Sequence, residues 1–508
     1  MKRYLLAHDL GTSGNKAVLF DTQTLSIVGD CTEVYQTYYP QDGFAEHNPE
    51  QWWQAVCTAT KKLLTGTGIS AADIAAVSFS AIMNTCLPVD KNGKPLCNAV
   101  IWADQRGAEQ LNKLYSAADE NTFYTTTGHR INGTYSIAKM LWLQEHKPEI
   151  FDTAYKFLQV KDYVIRKMTG NFISDYSDAS HVGCLNRNTK KYWSKLLEAL
   201  HIPEEKLPEL KKSTDTAGTL ISSAAEECGL IAGIPVIVGG GDGCCATAGA
   251  GVYKTGSAYN ALGTSSWNGT LSKAPLTDPD KTCFSLIHLD GEQYLSLGTM
   301  QSAGHSIEWL MTNLFPDFQT NKTSCFAYVN DEIRKQLESG STSQLIYLPY
   351  LLGERSPWWN SNARGAFVGL NASTGKIDML RSCMEGVAFN LKIILNSLEK
   401  SLGPLSMRVI GGGAKNKTWL KILASVWGKE IGIPKHLSQA TSLGAILCAG
   451  IGSGIFNDFS VIEKINPIES AIPPDEKLAQ AYESRYDIFI KTYKALVPVY
   501  EALRQSGG

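Results

Sequence analysis

Short apolar runs near the start of the chain predict a group of buried strands. Residues 4–10 (YLLAHDL) and 74–81 (IAAVSFSA) are almost continuously apolar, which is typical of strands inside a protein. Residues 16–21 (KAVLFD) follow a Gly-Thr-Ser-Gly turn, and residues 25–37 extend the pattern. The chain is therefore predicted to begin with an antiparallel β-meander.

The segment between these strands has the period of a helix. Asn48 can cap this helix and Pro49 suits its first turn. From there, apolar side chains recur on one helical face, at Trp52, Val56, Ala59 and Leu63. Residues 136–146 (SIAKMLWLQEH) predict a second helix after the strand at 74–81.

The second half of the chain repeats this order of elements. Residues 234–242 predict a strand that runs into glycines, and residues 257–272 predict a strand, a turn and a second strand. Residues 345–351 predict a further strand, and residues 407–427 predict a strand followed by a glycine turn and a helix. We therefore predict an α/β protein of two duplicated domains, residues 1–246 and 247–508, with a central cleft. The junction near residues 243–256 has no low-complexity linker, so the domains should be hinged closely and should close on their ligands.

The same four residues, Leu-Gly-Thr-Ser, occur once in each half. Gly11-Thr12-Ser13-Gly14 and Gly263-Thr264-Ser265 both lie between predicted strands. Backbone amides and hydroxyls in such turns can surround an anionic oxygen. Two turns on either side of a cleft could hold a polyphosphate, and this interpretation is favoured over two hairpin turns without a ligand.

A third glycine cluster follows the strand near residue 410. Gly411, Gly412, Gly413 and Ala414 lead into a helix that begins with Lys415 and Asn416. Small residues there would let a flat ring or a phosphate approach the backbone, or would serve close strand–helix packing. The sequence leaves both interpretations open.

Two acids lie beside the glycine turns. Asp242 stands between glycines at a predicted strand end, where a carboxylate could accept a proton from a substrate hydroxyl during attack on phosphorus. The alternative is an aspartate that stabilises a turn. Asp9 precedes the first phosphate turn, whereas Ala261 stands at the equivalent position of the second. An acid beside phosphate needs an intervening cation, so Asp9 indicates Mg²⁺.

Residues 241–246 suggest a competing functional class. Gly241-Asp242-Gly243-Cys244-Cys245-Ala246 matches the relaxed dinucleotide fingerprint of NAD-dependent oxidoreductases. However, Asp242 would repel the pyrophosphate, and no acid lies about twenty residues further on to hold a ribose. The consensus P-loop sequence is also absent from the chain.

Composition excludes several other classes. The chain has 508 residues, a net charge of −2 and no run of Lys or Arg, which argues against nucleic acid as a partner. Its apolar stretches are too short to span a bilayer, and its N-terminus reaches His8 and Asp9 too soon for a signal peptide. The 12 cysteines form neither a C-x-x-C pair nor a zinc pattern, which favours reduced, buried thiols in a cytoplasmic protein.

Together the motifs resemble those of the FGGY carbohydrate kinases, members of the actin-like ATPase superfamily with ribonuclease H-like domains. The resemblance extends over nearly the whole chain and is carried by DLGTS, PEQWWQAV, IWADQR, KMLWL, VGGGDG, ALGTS, YLPYLLGERSP, GAFVGL, DMLRSCMEGVAFNL and GGGAKN. It implies ATP as phosphoryl donor, Mg²⁺ as cofactor and a small sugar as acceptor. Neither nucleic acid nor a membrane is expected as a partner, and a homodimer is compatible with the family.

The resemblance also implies roles for particular residues. Asp242 would be the general base and Asp9 part of the Mg²⁺–phosphate site. The nucleotide would be held by Thr12, Ser13, Gly263, Thr264, Gly304, Gly412, Ala414 and Asn416. The sugar would be lined by Met83, Asn84, Trp102 and Asp104. Alternatively, Met83 and Trp102 could be core residues, and Asp104 could form a surface ion pair with Arg106. His8 and the pair Glu354-Arg355 are expected to be structural.

Within the family, PEQWW, LPYLLGERSP and GAFVGL favour the xylulokinases, and therefore D-xylulose as substrate. Xylulokinases typically have Met-His where this chain has Met83-Asn84, and Asn where it has Gly243. The Arg-Glu pair of glycerol kinases is absent. Another ketose, a polyol or a sugar acid is the alternative acceptor. A more remote alternative is an actin-like assembly or chaperone protein, which would need no sugar pocket.

Overall fold

The computed structural model describes residues 2–340 and 344–506. Two seven-stranded sheets organise the protein, one in each half of the chain. Helices cover both sheets, and smaller two- and three-stranded sheets extend the N-terminal half.

The N-terminal half contains strands β1 to β16 and helices α1 to α10. The strands are β1 Tyr4–Leu10, β2 Gly14–Asp21, β3 Ser26–Val34, β4 Thr37–Tyr38, β5 Glu46–His47, β6 Ile74–Ala81, β7 Leu87–Val89, β8 Ala99–Val100, β9 Lys156–Leu158, β10 Ile173–Asp175, β11 Leu185–Asn186, β12 Lys191–Tyr192, β13 Glu209–Lys211, β14 Thr216–Thr219, β15 Pro235–Ile237 and β16 Gly240–Gly241. The helices are α1 Pro49–Thr67, α2 Leu111–Ala117, α3 Glu120–Thr127, α4 Ser136–His146, α5 Pro148–Thr153, α6 Val160–Thr169, α7 Tyr176–Val182, α8 Ser194–Ala199, α9 Ser222–Cys228 and α10 Asp242–Gly249.

The C-terminal half contains strands β17 to β25 and helices α11 to α17. The strands are β17 Ser257–Leu262, β18 Ser266–Ser272, β19 Phe284–Ile287, β20 Tyr294–Met300, β21 Ile346–Leu348, β22 Ala366–Val368, β23 Ser406–Ile410, β24 Ile431–Pro434 and β25 Ile468–Ile472. The helices are α11 Gly304–Leu314, α12 Lys322–Glu338, α13 Lys376–Leu402, α14 Lys417–Trp427, α15 Ala440–Gly452, α16 Ile462–Ile465 and α17 Glu476–Ser506. Short 3₁₀ helices lie at Ala71–Asp73, Arg106–Gln110, Glu204–Lys206, Gly412–Lys415 and Phe459–Val461.

The two large sheets share one topology. The N-terminal sheet has the order β14-β15-β6-β1-β2-β3, and its seventh strand, β16, also pairs with β6. The C-terminal sheet has the order β25-β24-β23-β17-β18-β20-β19. In each sheet the central strand pairs antiparallel with its successor, β1 with β2 and β17 with β18. On its other side the central strand pairs parallel, β1 with β6 and β17 with β23. This correspondence confirms the predicted α/β fold of two duplicated domains.

Local sequence signals account for most of the elements around the cleft. The predicted strand at 74–81 is β6, and residues 257–272 form β17, a turn and β18. Helix α1 begins as expected, with the Asn48 side chain accepting a hydrogen bond from the amide of Glu50 at 3.0 Å. Its apolar face is buried at Trp52, Val56, Ala59 and Leu63.

The segment predicted as a strand that runs into a glycine turn, residues 234–242, is divided by such a turn. The segment forms β15 and β16 with a break between them, and Asp242 begins helix α10. The break lies at Gly239, whose φ is 69°. A Cβ there would lie 2.1 Å from the carbonyl oxygen of Phe79, so glycine permits both the bend and the close contact.

Helices α10 and α15 cross between the two halves at a very short distance. A Cβ on Gly444 of α15 would lie 2.2 Å from the Cys245 carbonyl oxygen, and one on Gly249 of α10 would lie 1.8 Å from that of Ala440. Helix α15 also packs against β1 and β6 of the N-terminal sheet. The boundary predicted between residues 246 and 247 falls within α10.

The twelve cysteines are free thiols and most of them are buried, as predicted. Among the described residues, no helix combines the length and the hydropathy that crossing a bilayer requires.

Candidate active site

The first predicted phosphate turn connects β1 to β2. The amide of Gly11 donates to the Gly14 carbonyl at 2.9 Å, which closes the turn. The Tyr35 hydroxyl donates to the carbonyl of Gly11. Thr12 accepts a hydrogen bond at its hydroxyl from the Trp102 indole at 2.9 Å. Ser13 is exposed at the tip. The turn is thus held at its ends, with hydroxyl groups at its tip.

The second predicted phosphate turn connects β17 to β18 and rests on the start of helix α11. Gly263 donates its amide hydrogen to the Ser265 carbonyl at 3.0 Å. The Gly263 carbonyl accepts from the amide of Gly304 at 2.9 Å, and the Thr264 carbonyl accepts from Ala303 at 3.0 Å. A Cβ on Gly304 would lie 2.6 Å from the Gly263 oxygen, so glycine is required where the turn meets the helix.

A cavity of about 880 Å³ opens beside this second turn. Its volume lies in the range of small-molecule and cofactor sites. Five of the eight residues predicted to hold the nucleotide line it: Gly263, Thr264, Gly304, Gly412 and Asn416. Ala414 is buried next to it. Thr12 and Ser13 belong to the turn of the other half. The structure therefore brings two of the three predicted glycine clusters into one cavity.

One wall of this cavity was not predicted from the sequence. Thr323, Phe326, Ala327 and Asn330 of helix α12 line it, at the i, i+3, i+4, i+7 spacing of a single helical face. Ile307 and Glu308 of α11, together with Gly413, Lys415 and Trp419, complete the lining. The helical period of residues 323–330 was the available signal, but apolar and amide side chains on a helix do not by themselves indicate a ligand.

Asn416 joins two walls of the cavity. Its side-chain oxygen accepts from the amide of Trp419 at 3.1 Å and so caps helix α14. Its side-chain nitrogen donates to the Asn330 side chain at 2.9 Å. The polar atoms of Asn416 therefore hold α14 and α12 in place.

Asp9 and Asp242 lie on opposite sides of the same strand. Asp9 of β1 is the register partner of Ser80 in β6, and Gly240, two residues before Asp242, is the partner of Ser80 from the other side. The Asp242 carboxylate accepts from the amide of Gly243 at 2.7 Å. Burial, and then the charge of Asp9, raise the pKa of Asp242 to about 7. Burial also raises the pKa of Asp9.

These carboxylates fit a magnesium site. Asp9 accepts a hydrogen bond from the hydroxyl of Thr441. In residues 2–340 and 344–506, no group of three or more His, Cys, Asp or Glu side chains could enclose a metal ion. Mg²⁺ is usually bound by one or two carboxylates, with substrate phosphates and water as its other ligands. Two neighbouring carboxylates beside a phosphate turn meet that requirement.

Met83 and Asn84 lie next to the backbone that leads to Asp242. A Cβ on Gly241 would lie 2.5 Å from the methyl carbon of Met83, so Met83 packs on this glycine. Asn84 is 7% exposed and has a φ of 61°. Its side-chain oxygen is buried and has no hydrogen-bond partner among the described residues. A buried amide oxygen without a donor favours a ligand that brings one.

A single buried ammonium group links the backbone at Asn84 and Trp102. Lys139 donates to the carbonyl of Asn84 and, at 2.8 Å, to the carbonyl of Ile101, which precedes Trp102. Burial lowers the pKa of Lys139 to about 7. Trp102 itself is 38% exposed, which is more than a core residue would be.

Asp104 differs from the other residues predicted to line the sugar because its carboxylate already accepts hydrogen bonds from several donors of the protein. One oxygen accepts from the Arg106 side chain at 2.9 Å, and the other accepts from the amide of Ala45 at 2.7 Å. Asp104 is fully buried, so its ion pair with Arg106 lies inside the protein and not on the surface. These contacts favour a structural role for Asp104 over direct sugar binding.

The residues predicted to be structural have the expected contacts. His8 is fully buried, with its ring nitrogens 3.2 Å from the Asn15 side chain and 3.3 Å from the Thr60 hydroxyl. Burial lowers its pKa to about 4. The carboxylate of Glu354 accepts from the amides of Gln301 and Arg355, both at 2.8 Å, and so connects its loop to the segment that follows β20.

Two duplicated sheets, each with a tight turn after its central strand, have the architecture of the actin-like ATPase fold. The model for the N-terminal domain of the FGGY family of carbohydrate kinases matches residues 4–249, and the model for its C-terminal domain matches residues 258–453. The chain belongs to the FGGY family of carbohydrate kinases. It is a phosphotransferase with an alcohol group as acceptor.

The similarity to known proteins extends over nearly the whole chain. The xylulose kinase of Escherichia coli strain K12 is 30% identical over 97% of this chain and 99% of its own length. The solved xylulose kinase of Lactobacillus acidophilus is 27% identical with a TM-score of 0.91, covering 98% of this chain and 99% of its own. The solved gluconate kinase of Lactobacillus acidophilus is also 27% identical, with a TM-score of 0.90 and the same coverage.

Proposed function

We propose that this sugar kinase phosphorylates D-xylulose to D-xylulose 5-phosphate with ATP. The observation that carries the proposal is the position of Asp242, which begins α10 beside Met83 and opposite Asp9. A carboxylate with a pKa raised to about 7 is well suited to act as a general base near neutral pH. The most similar relatives named above include two xylulose kinases.

In the proposed reaction, Asp242 accepts the proton of the acceptor hydroxyl. The hydroxyl oxygen forms a bond to the γ-phosphorus, and the bond from that phosphorus to the bridging oxygen of ADP breaks. The amides and hydroxyls of the turns at 11–14 and 263–265 stabilise the charge on the transferred group. Asn84 accepts a hydrogen bond from a sugar hydroxyl, and Trp102 packs on the sugar.

Asp9 is the proposed protein ligand of Mg²⁺, with Asp242 close by. When bound, Mg²⁺ neutralises charge on the phosphates and orients them. Thr441 keeps the Asp9 carboxylate in one orientation through its hydrogen bond. The nucleotide occupies the cavity between the second turn, α12 and α14.

The alternative acceptor is a sugar acid. The solved gluconate kinase is as similar in sequence as the solved xylulose kinase, so overall likeness does not separate the two substrates. The decisive residue is Asn84, because its side-chain oxygen lacks a donor among the described residues. That oxygen can accept a hydrogen bond from a sugar hydroxyl but not from the carboxylate of a sugar acid.

The test is ADP release from MgATP with a panel of acceptors: D-xylulose, L-xylulose, D-ribulose, L-ribulose, glycerol and gluconate. The proposal predicts the highest kcat/KM for D-xylulose. A higher value for gluconate would replace it with the sugar-acid alternative. Equal ADP release with and without every acceptor would contradict sugar phosphorylation altogether.

A further inference from the structure

A chain of hydrogen bonds connects the Asp242 carboxylate to the second phosphate turn. The carboxylate accepts from the amide of Gly243 at 2.7 Å. The carbonyl of Gly243 accepts from the Tyr259 hydroxyl at 3.2 Å. That hydroxyl in turn accepts from the Trp267 indole at 2.7 Å. Thus the backbone of one residue, Gly243, links the candidate base to a tyrosine of the other half of the protein.

The two aromatic residues lie on either side of the turn that faces the nucleotide. Tyr259 is in β17, which leads into Gly263-Thr264-Ser265, and Trp267 is in β18, directly after it. Tyr259 is fully buried, and its register partner across the hairpin is Gly269. A Cβ on Gly269 would lie 2.9 Å from the Tyr259 ring, so glycine at that position makes room for the tyrosine.

We infer that Tyr259 is a positioning residue that fixes the catalytic carboxylate relative to the γ-phosphate site. This inference rests on the proposed roles of Asp242 and the second turn. Phosphoryl transfer requires the acceptor oxygen and the phosphorus to be aligned within a fraction of an ångström. The acceptor is activated from α10 and the phosphate is held by the β17–β18 turn, so their alignment depends on contacts between these elements.

Thr247 contacts the same Gly243 carbonyl from within α10. Its hydroxyl lies 2.7 Å from the Gly243 carbonyl and 3.1 Å from the Tyr259 hydroxyl. Its contact with Gly243 is internal to the helix, whereas its contact with the Tyr259 hydroxyl joins α10 to β17 at the same tyrosine. Both contacts of this network between α10 and the β17–β18 hairpin therefore end on the Tyr259 hydroxyl. Loss of that hydroxyl would separate the position of the base from that of the turn.

The test compares Tyr259→Phe with Tyr124→Phe as a matched control. Tyr124 is also buried, and its hydroxyl donates across the two halves to the Cys283 carbonyl at 2.7 Å, away from Asp242. Both variants lose one buried interdomain hydroxyl. For Tyr259→Phe we expect kcat with D-xylulose, or with the best acceptor of the panel, to fall about 10- to 100-fold, while KM for ATP changes less than about threefold.

A second readout separates positioning from simple destabilisation. ATP hydrolysis without sugar needs the phosphate turn but not the alignment of a sugar hydroxyl with Asp242. Tyr259→Phe should therefore lower sugar phosphorylation much more than sugar-independent hydrolysis. Tyr124→Phe should leave the ratio of these two rates unchanged. A parallel fall of both rates in Tyr259→Phe, or a kcat equal to that of wild type, would overturn the inference.

Trp267→Phe keeps the tyrosine and removes the indole donor to its hydroxyl. This variant should lower the ratio of sugar phosphorylation to sugar-independent hydrolysis by a smaller factor than Tyr259→Phe does. If Tyr259→Phe does not fold, Trp267→Phe provides the test. An unchanged ratio in folded Trp267→Phe would then overturn the inference. Failure of the role proposed for Asp242 has a different signature, since Asp242→Asn would then retain full sugar-dependent turnover.

Discussion

The hydroxyl of Thr441 donates a hydrogen bond to the carboxylate of Asp9, across 432 positions of the chain. Thr441 lies in the first turn of α15, and Asp9 lies near the end of β1. Helix α15 belongs to the C-terminal half but packs on the N-terminal sheet. The proposed metal-binding acid is therefore oriented by the opposite half of the protein.

Thr441→Val should weaken use of the magnesium nucleotide. The change removes a hydrogen bond to a charged acceptor, which is worth about 1.5–3 kcal/mol, and so kcat/KM for MgATP should fall roughly 10- to 100-fold. The measurement is a titration of MgATP at saturating sugar. Thr441→Ser retains the hydroxyl and should stay close to wild type; equal losses in both variants would argue against the contact with Asp9.

Asp242→Asn should abolish most sugar-dependent turnover without loss of nucleotide binding. A positioned general base typically contributes 10²–10⁴-fold, and asparagine has nearly the same shape but accepts no proton. ATP affinity can be followed by calorimetry on the same variant, since the cavity lies in the other half of the protein. Turnover within about tenfold of wild type in the folded variant would remove Asp242 from the mechanism.

The pH dependence of stability should reveal the buried acid independently of activity. The pKa of Asp242 is raised on folding, from an ordinary 3.8 to about 7, so the native state binds this proton more tightly than the unfolded state does. Its contribution to stability therefore falls as pH rises from about 4 to about 7, by about 1.4 kcal/mol for each unit of pKa difference.

Asp242→Asn removes this penalty together with the repulsion from Asp9. Chemical denaturation should show the variant to be more stable than wild type at pH 8, with a difference that shrinks toward pH 4. A difference that is independent of pH would mean that Asp242 titrates normally in the folded protein.

Features that depend on neighbouring residues in the chain could be predicted, whereas contacts between distant positions could not. The turn at 11–14 and the cap at Asn48 depend on neighbours within a few positions, and both were found in the sequence. The contact of Gly239 with the Phe79 carbonyl, at the bend between β15 and β16, joins residues 160 positions apart. The wall formed by Phe326 and Asn330 likewise becomes a binding surface only when α12 meets α14.

Phe326→Ala should weaken ATP binding specifically. Phe326 lines the nucleotide cavity, and loss of apolar contact worth about 1–2 kcal/mol corresponds to a 5- to 30-fold increase in KM for ATP. The KM for sugar should stay within about twofold. Tyr328→Ala is the matched control, because Tyr328 lies on the same helix and is 51% exposed. An equal effect in both variants would mean that α12 acts only through its stability.

Asn84 should determine which sugar is accepted. Its side-chain oxygen is buried without a partner in the part of the chain that the structure describes, and its φ of 61° is a conformation that asparagine, histidine and glycine tolerate better than alanine. Asn84→Gly therefore removes the side chain with little backbone strain. It should weaken sugar binding by about 1–3 kcal/mol, since the sugar hydroxyl then lacks its acceptor.

Asn84→His tests selectivity at the same position. Histidine would restore the Met-His pair, and its larger ring fills more of the pocket, so the preference for D-xylulose over L-xylulose, D-ribulose and L-ribulose should increase. The measurement is kcat/KM for the four ketopentoses on wild type, Asn84→Gly and Asn84→His. Since KM for ATP reports on a different cavity, it should remain constant in all three proteins. If the ratios among the four sugars are also the same in all three, Asn84 does not face the acceptor, and its unpartnered oxygen must be satisfied by water.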